Sequence, residues 1–291
     1  MKLKTGELVW KKDLVRNPEI KAKPVQFGFS ASPMMVGGRL VVYCGGESKG
    51  LLCLNPEDGK EIWSCDCGEA SYATPVSVTL EAVPQLVMFS RNEVLGVQQS
   101  DGEILWRHPL IEKGLTNVPF PLRVAGGRFL ISGQGAKGIF GIEVSRKDGQ
   151  WNVEESFRRN GPQLFYTNWV TNESKSQMFG CTDKLLNCVD AKDGNRRGRW
   201  RGFGDGNLIR IGDQLLCVSG DGTINFLQIE KNRLLHLFKY SPFKKRVWAM
   251  PTLVGNRLLL RAENNVYCFE LKNEKGKTNN RLAEPEELDF R

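Results

Sequence analysis

Histidine is almost missing from this chain: 291 residues contain two, His108 and His236. A Ser-His-Asp or Cys-His arrangement needs a histidine beside its nucleophile. His108 precedes Pro109 and His236 sits in an apolar run, and neither shows a partner. No Cys-x-x-Cys-His occurs, which excludes a c-type haem attachment of that form. The "CDC" at Cys65–Cys67 is not zinc spacing. No apolar run reaches the length of a membrane span. No basic stretch followed by an apolar one opens the chain as an export signal would, and no segment carries the apolar period of an amphipathic helix.

What is present is a basic, otherwise ordinary globular composition. The net charge is +8, with 40% hydrophobic and 25% charged residues. Basic residues cluster at Lys11-Lys12, Arg158-Arg159, Arg196 to Arg201 and Lys244-Lys245-Arg246. Solvated loops account for such clusters; nucleic acid, anionic lipid or an acidic partner would also use them. Eight cysteines lie mostly inside apolar runs, where a thiol acts as a small hydrophobe.

The informative feature is a repeat. Gly6 leads to Trp10 in "TGELVW", Gly59 to Trp63 in "DGKEIW", and Gly102 to Trp106 in "DGEILW"; a longer copy runs from Gly194 to Trp200. Weaker copies put Phe157 or His236 where tryptophan is usual, and Asn232 where glycine is usual. Before each turn stands another phrase, such as "MMVGGRLVVYCGG" or "IRIGDQLLCVSGDG", in which two apolar strands flank a tight turn. Asp-Gly and Gly-Gly supply the positive φ that such hairpins need. Four short strands every forty to fifty residues predict an all-β propeller. The expected blades are 31–72, 73–119, 120–165, 166–206 and 207–250, with a three-stranded unit at 251–271, an N-terminal strand within 1–14 and a polar tail at 272–291.

The recurring Asp-Gly…Trp phrase resembles the tryptophan-docking repeat of the quinoprotein-like (PQQ-like) propellers, over essentially 1–271. Within them the layout is similar to the BamB-like propellers of outer membrane assembly, commonly eight-bladed and exported. The resemblance implies that the tryptophans Trp10, Trp63, Trp106 and Trp200, with Gly6, Gly59, Gly102 and Gly194, lock each blade to its neighbour. It carries two expectations about the start. In one, the chain is a piece of an eight-bladed ring whose export signal lies upstream, which would place it in the periplasm or envelope. In the other, Met1 is the true start, the protein is cytoplasmic, and Thr5–Leu14 closes a six-bladed ring as the outer strand of the last unit. Family length and export favour the first.

Two functions follow from the resemblance. An interaction scaffold would bind a protein partner, such as membrane-associated assembly machinery, through face loops at 15–29, 107–119, 158–169 and 239–250, without nucleic acid and without a cofactor. The last loop, "KYSPFKKRVWAM", offers Phe243, Lys244, Lys245, Arg246 and Trp248, a basic-aromatic mix suited to an interface; equally, Trp248 could pack inward. The alternative is a quinoprotein dehydrogenase holding pyrroloquinoline quinone and calcium in a central funnel. Against it, the chain has no adjacent Cys-Cys pair, and its aspartates Asp58, Asp101, Asp148, Asp193 and Asp221 sit in turns, where local backbone bonding explains them. The literal G-x-G-x-x-G at Gly133–Gly138 is followed by a strand, "IFGIEV", rather than a helix, so a hairpin turn is expected there. The Asn172–Ser174 sequon lies in a polar turn.

Overall fold

The computed structural model describes residues 1–2, 4–46, 49–112, 117–182, 185–230, 233–272 and 286–288. The chain divides into two compact units, Met1–Phe165 and Tyr166–Arg291, and each holds three four-stranded antiparallel sheets. In the first unit these are β1 (Met34–Val36) to β4 (Glu61–Cys65) through β2 (Arg39–Tyr43) and β3 (Leu51–Leu54); β5 (Val76–Leu80), β6 (Val83–Phe89), β7 (Glu93–Gln98) and β8 (Ile104–Pro109); and β9 (Leu122–Arg123), β10 (Arg128–Gly133), β11 (Gly138–Lys147) and β12 (Gln150–Arg159).

The second unit has β13 (Val170–Thr171), β14 (Gln177–Thr182), β15 (Leu185–Asp190) and β16 (Arg196–Arg201); β17 (Asn207–Ile211), β18 (Gln214–Val218), β19 (Ile224–Glu230) and β20 (Arg233–Tyr240); and β21 (Thr252–Val254), β22 (Arg257–Ala262), β23 (Asn265–Glu270) and β24 (Glu286–Leu288). Every sheet is a simple meander in chain order, the organisation of a propeller blade. The fold is the all-β propeller that the repeat predicts. The Gly133–Gly138 stretch is a short 3-10 turn at Gln134–Ala136 between two antiparallel strands, so nothing there cradles a dinucleotide.

Most outer strands share one irregularity. The register shifts where the outermost strand leaves its neighbour, at Cys53/Leu54, Gly96/Val97, Gly141/Ile142, Cys188/Val189 and Phe226/Leu227. A bulge of this kind raises the local twist. Between neighbouring sheets the cores are continuous. Val41, Tyr43, Leu51 and Trp63 pack with Leu86, Met88 and Leu95, and Phe89, Val94 and Trp106 pack with Phe129, Ile131 and Phe140. In the second unit Leu216, Ile224 and Phe226 pack with Leu258, Leu260 and Phe269. The central strand β7 is buried on both faces because it lies between the side chains of the first and third sheets.

Two expectations at the chain ends are corrected. The sixth sheet takes its outer strand from Glu286–Leu288, which pairs antiparallel with Val266–Cys268, not from Thr5–Leu14. The tail at 272–291 is therefore not wholly outside the blades, and its residues 273–285 and 289–291 lie outside the described residues. The N-terminal segment belongs to the first unit instead. Lys2 and Glu7 close a small turn, and Trp10 donates its indole N–H to the Pro56 carbonyl at 2.8 Å.

Candidate functional site

The sequence pairs each tryptophan with a turn glycine, and the structure shows what the glycine is for. A Cβ on Gly59 would stand 2.7 Å from Cε3 of Trp10, and one on Gly102 would stand 2.6 Å from Cε3 of Trp63. Each indole thus lies flat on the turn glycine of the following repeat. Trp63 also donates to the Gln99 carbonyl at 3.1 Å. The positive φ of these glycines, +70° and +82°, turns the chain under the ring. Gly6 and Gly194 adopt the same conformation, with φ of +70° at both.

Trp106 departs from the pattern. Its indole bonds within its own sheet to Gln85 Oε1 at 2.8 Å, and Gly149, in the turn of the next repeat, has open space around it. The ten-residue strands β11 and β12 carry that turn too far out to meet the ring. Trp106 packs instead near Phe129, with ring centroids 6.5 Å apart. Trp200 is half-buried against the cluster of Leu208, Leu215 and Leu227, and Asn232 lies outside the described residues. Trp169, which no repeat position marks, is buried over Gly180.

The meander places the loops between successive sheets, and the hairpins between second and third strands, at one end of each unit. Exposed large side chains gather there. In the first unit they are Phe27, Phe29, Ile111 and Phe165; in the second, Tyr166, Trp248 and Met250. The first unit's end also carries a cavity of about 620 Å³ between the 23–26 segment and Arg91–Asn92. Asn117 ties its loops together, donating to the Ser90 carbonyl and accepting from Gly135 N–H.

In the second unit the loop after β20 separates the predicted residues into two sets. Phe243 is half-buried and packs over Gly222 and onto Tyr267, with centroids 4.4 Å apart. Lys245 is also committed, donating to Tyr267 Oη at 2.6 Å. Val247, not Trp248, is the buried residue of the loop, and its N–H bonds the Gly220 carbonyl at 3.0 Å. Trp248 is 76% exposed, with the Arg246 guanidinium 4.9 Å from its ring centroid; Lys244 is exposed as well. Tyr166 and Met250 extend this end and carry no sequence signal beyond being apolar residues in loops.

The family described as outer membrane protein assembly factor BamB matches residues 1–200. The chain belongs to this family. The outer membrane protein assembly factor BamB of Shewanella oneidensis is 23% identical over 269 residues, which is 92% of this chain and 58% of that protein. The chain therefore spans little more than half the length of that BamB relative. Among solved structures, the β-propeller domain of Myceliophteria thermophila Cps50 (Swd1) matches with a TM-score of 0.59 at 12% identity, covering 92% of this chain and 89% of that one. Kluyveromyces lactis Hsv2p matches with 0.57 at 11% identity over 90% and 86%. At these identities the structural likeness concerns the propeller fold alone.

A calcium-held quinone would need several acidic and amide ligands converging on one point. Among the described residues of this BamB-family chain, no three His, Cys, Asp or Glu side chains are placed to hold a metal ion. Nor is any helix among the described residues long and apolar enough to cross a membrane.

Burial perturbs several titratable groups. Desolvation is the main cause holding both imidazoles below their ordinary value of 6.5; Arg158 assists at His108 against an opposing Glu155, and Lys239 assists at His236. The unfolded chain therefore binds more protons below that value. The stability these residues contribute is complete above about pH 6.5 and is lost as the pH falls toward their folded-state values. Melting temperature should drop between about pH 7 and pH 5.5, and the double variant H108Q/H236Q should flatten that drop. An unchanged slope would assign it to other groups. Two of the buried thiols follow the same physics. Burial pushes Cys44 up to about 11 and Cys188 up to about 12, and every cysteine except the half-buried Cys268 is buried. A thiol reagent should label Cys268 first in the native protein and reach all eight only on unfolding. Rapid native labelling of Cys44 or Cys188 would contradict the packing.

Proposed function

We propose that this chain is a non-enzymatic interaction scaffold of the cell envelope, which recruits a protein partner through the loops at one end of its blades. The observation that carries this reading is the loop after β20. It is anchored through Phe243, Lys245 and Val247, yet it holds Arg246 and Trp248 out in solvent. Tryptophan and arginine are both enriched among the interface residues that dominate binding energy, and here they stand together in solvent on an anchored loop. The envelope setting and a role in assembly are supported by the family and by its Shewanella member, an outer membrane protein assembly factor.

The test is affinity capture with the wild-type chain and Trp248→Ala, from envelope and soluble extracts in parallel. The expected result is a partner captured from the envelope fraction and lost with the substitution, both proteins melting at the same temperature. No partner from either fraction, or equal capture by the variant, would overturn the proposal.

A further inference from the structure

The surface around Trp248 has a more specific chemistry than exposure alone. A hollow of about 250 Å³ opens beside the indole, lined by Arg246, Trp248, Ala249, Arg261 and Glu263. That is below the size of a small-molecule pocket and suits one side chain of a protein. Arg246 comes from the loop and Arg261 from the exposed side of β22. Among the described residues neither has a carboxylate within ion-pair distance; Arg246 lies on Trp248, and Arg261 donates weakly to the Glu263 carbonyl at 3.4 Å. Lys244 adds a third exposed cation nearby in sequence. The Trp248 ring adds an exposed apolar face beside them, and Met250, two residues on, is exposed as well, its sulfur meeting Asn168 Nδ2 at 3.2 Å.

The hollow is preformed. Its backbone is held by Val247 N–H on Gly220 O at 3.0 Å and by Asn207 Nδ2 on Trp248 O at 3.4 Å, and its far wall is a strand paired on both sides. Preorganised groups lose little entropy when a partner arrives. Two guanidiniums about one side-chain-sized space recognise a carboxylate, which an arginine can bind through two parallel hydrogen bonds. Partner charge is thus set by complementarity.

We propose that this hollow anchors an acidic segment of a protein partner: a glutamate or aspartate carboxylate sits between Arg246 and Arg261, and the apolar side chain beside it lies on Trp248. This rests on the scaffold reading and names the chemistry of its partner. Glu263 also lines the hollow, and its carboxylate weakens the attraction for any incoming anion.

The experiment measures anisotropy of three fluorescein-labelled probes with the full chain: a glycine-flanked Glu-Glu-Leu-Glu-Glu peptide, its Lys-Lys-Leu-Lys-Lys counterpart, and a short single-stranded oligonucleotide. The acidic peptide should bind, weaken as salt rises, and lose roughly tenfold or more affinity with Arg261→Ala or Trp248→Ala. Glu263→Gln should tighten it by roughly two- to fivefold, a gain that no loss of folding would produce. The lysine peptide should not bind. Equal binding of both peptides, no binding of the acidic one, or indifference to Arg261→Ala would overturn the proposal. So would an oligonucleotide bound more tightly than the acidic peptide through the same arginines. A partner captured from the envelope by wild type and not by Trp248→Ala, together with a silent acidic peptide, would remove this chemistry and leave the scaffold reading standing.

Discussion

Trp63→Ala should be among the most destabilising single substitutions in the chain, costing about 3–5 kcal/mol in a denaturant or thermal unfolding series. Trp63 is 8% exposed and belongs to a core shared between the first two sheets. Removing it empties the space above Gly102, exposes the apolar face of the second sheet's hairpin, and leaves the Gln99 carbonyl without its indole donor. Each loss alone is modest, at about 1 kcal/mol for the hydrogen bond. The cavity dominates, because a β-meander anchored on both sides cannot collapse to fill it. Trp63→Phe keeps the stack and loses the donor, so it should cost about 1 kcal/mol plus a small packing loss. Trp10→Ala is the control: Trp10 makes the same two contacts but is only half-buried at the chain's edge, so less of its surface returns to water. A cost at Trp63 no larger than at Trp10 would mean that the indole does not bind the two sheets together.

Gly102→Ala should cost about 2–5 kcal/mol, the sum of a left-handed backbone strain near 1–2 and an overpacking term of about 1–3. The overpacking arises because the new methyl meets Trp63 Cε3 at 2.6 Å, and the indole, held by its hydrogen bond and by the core below, cannot retreat. Gly149→Ala separates the two terms. Its φ is +81°, close to the +82° of Gly102, but nothing lies within 4 Å of a Cβ there, so only the strain of about 1–2 kcal/mol remains. The pair also makes a cycle. In the Trp63→Ala background the Gly102→Ala cost should fall to that of Gly149→Ala, because the methyl then enters the space the indole left. Additive costs in that background would show that conformational strain, and not the tryptophan, is what demands glycine in this turn.

These contacts bear on what could be seen without coordinates. The Gly59–Trp63 and Gly102–Trp106 phrases mark the same hairpin in successive repeats, so the strand order was legible from spacing and turn chemistry. The contact that joins the repeats was not. It runs from the tryptophan of one copy to the glycine of the next, 39 residues on from Trp63 to Gly102, and nothing in a single copy states it except by resemblance to known propellers. Trp106 shows the limit of that resemblance. Its phrase is as regular as that of Trp63, yet the length of β11 and β12 moves the partner turn away. The candidate site was legible as a composition and not as a surface. "KYSPFKKRVWAM" announces basic and aromatic character, but Phe243 and Trp248 are both large aromatics in one loop, and only packing distinguishes them. Phe243 is drawn in by Gly222, whose bare Cα leaves room for the ring, and by Tyr267. Arg261 and Glu263, which complete the hollow, come from a different strand and its turn.

The all-β class, the four-stranded repeat and the positions of the tight turns were set by local pattern, because period-two apolar runs and turn residues act over a few neighbours and need no partner from afar; the family came from the resemblance of the Gly…Trp phrase to a known repeat. The tertiary structure decided what local chemistry leaves degenerate. It decided that Glu286–Leu288 and not Thr5–Leu14 pairs with β23, since an edge strand accepts any extended segment that can reach it. It decided which aromatic of a loop faces solvent, since burial depends on the volume that other strands leave free. It brought two arginines, fifteen residues apart in the chain, to the walls of one hollow beside Trp248, a convergence set by the packing of sheet against loop and by nothing in either segment alone.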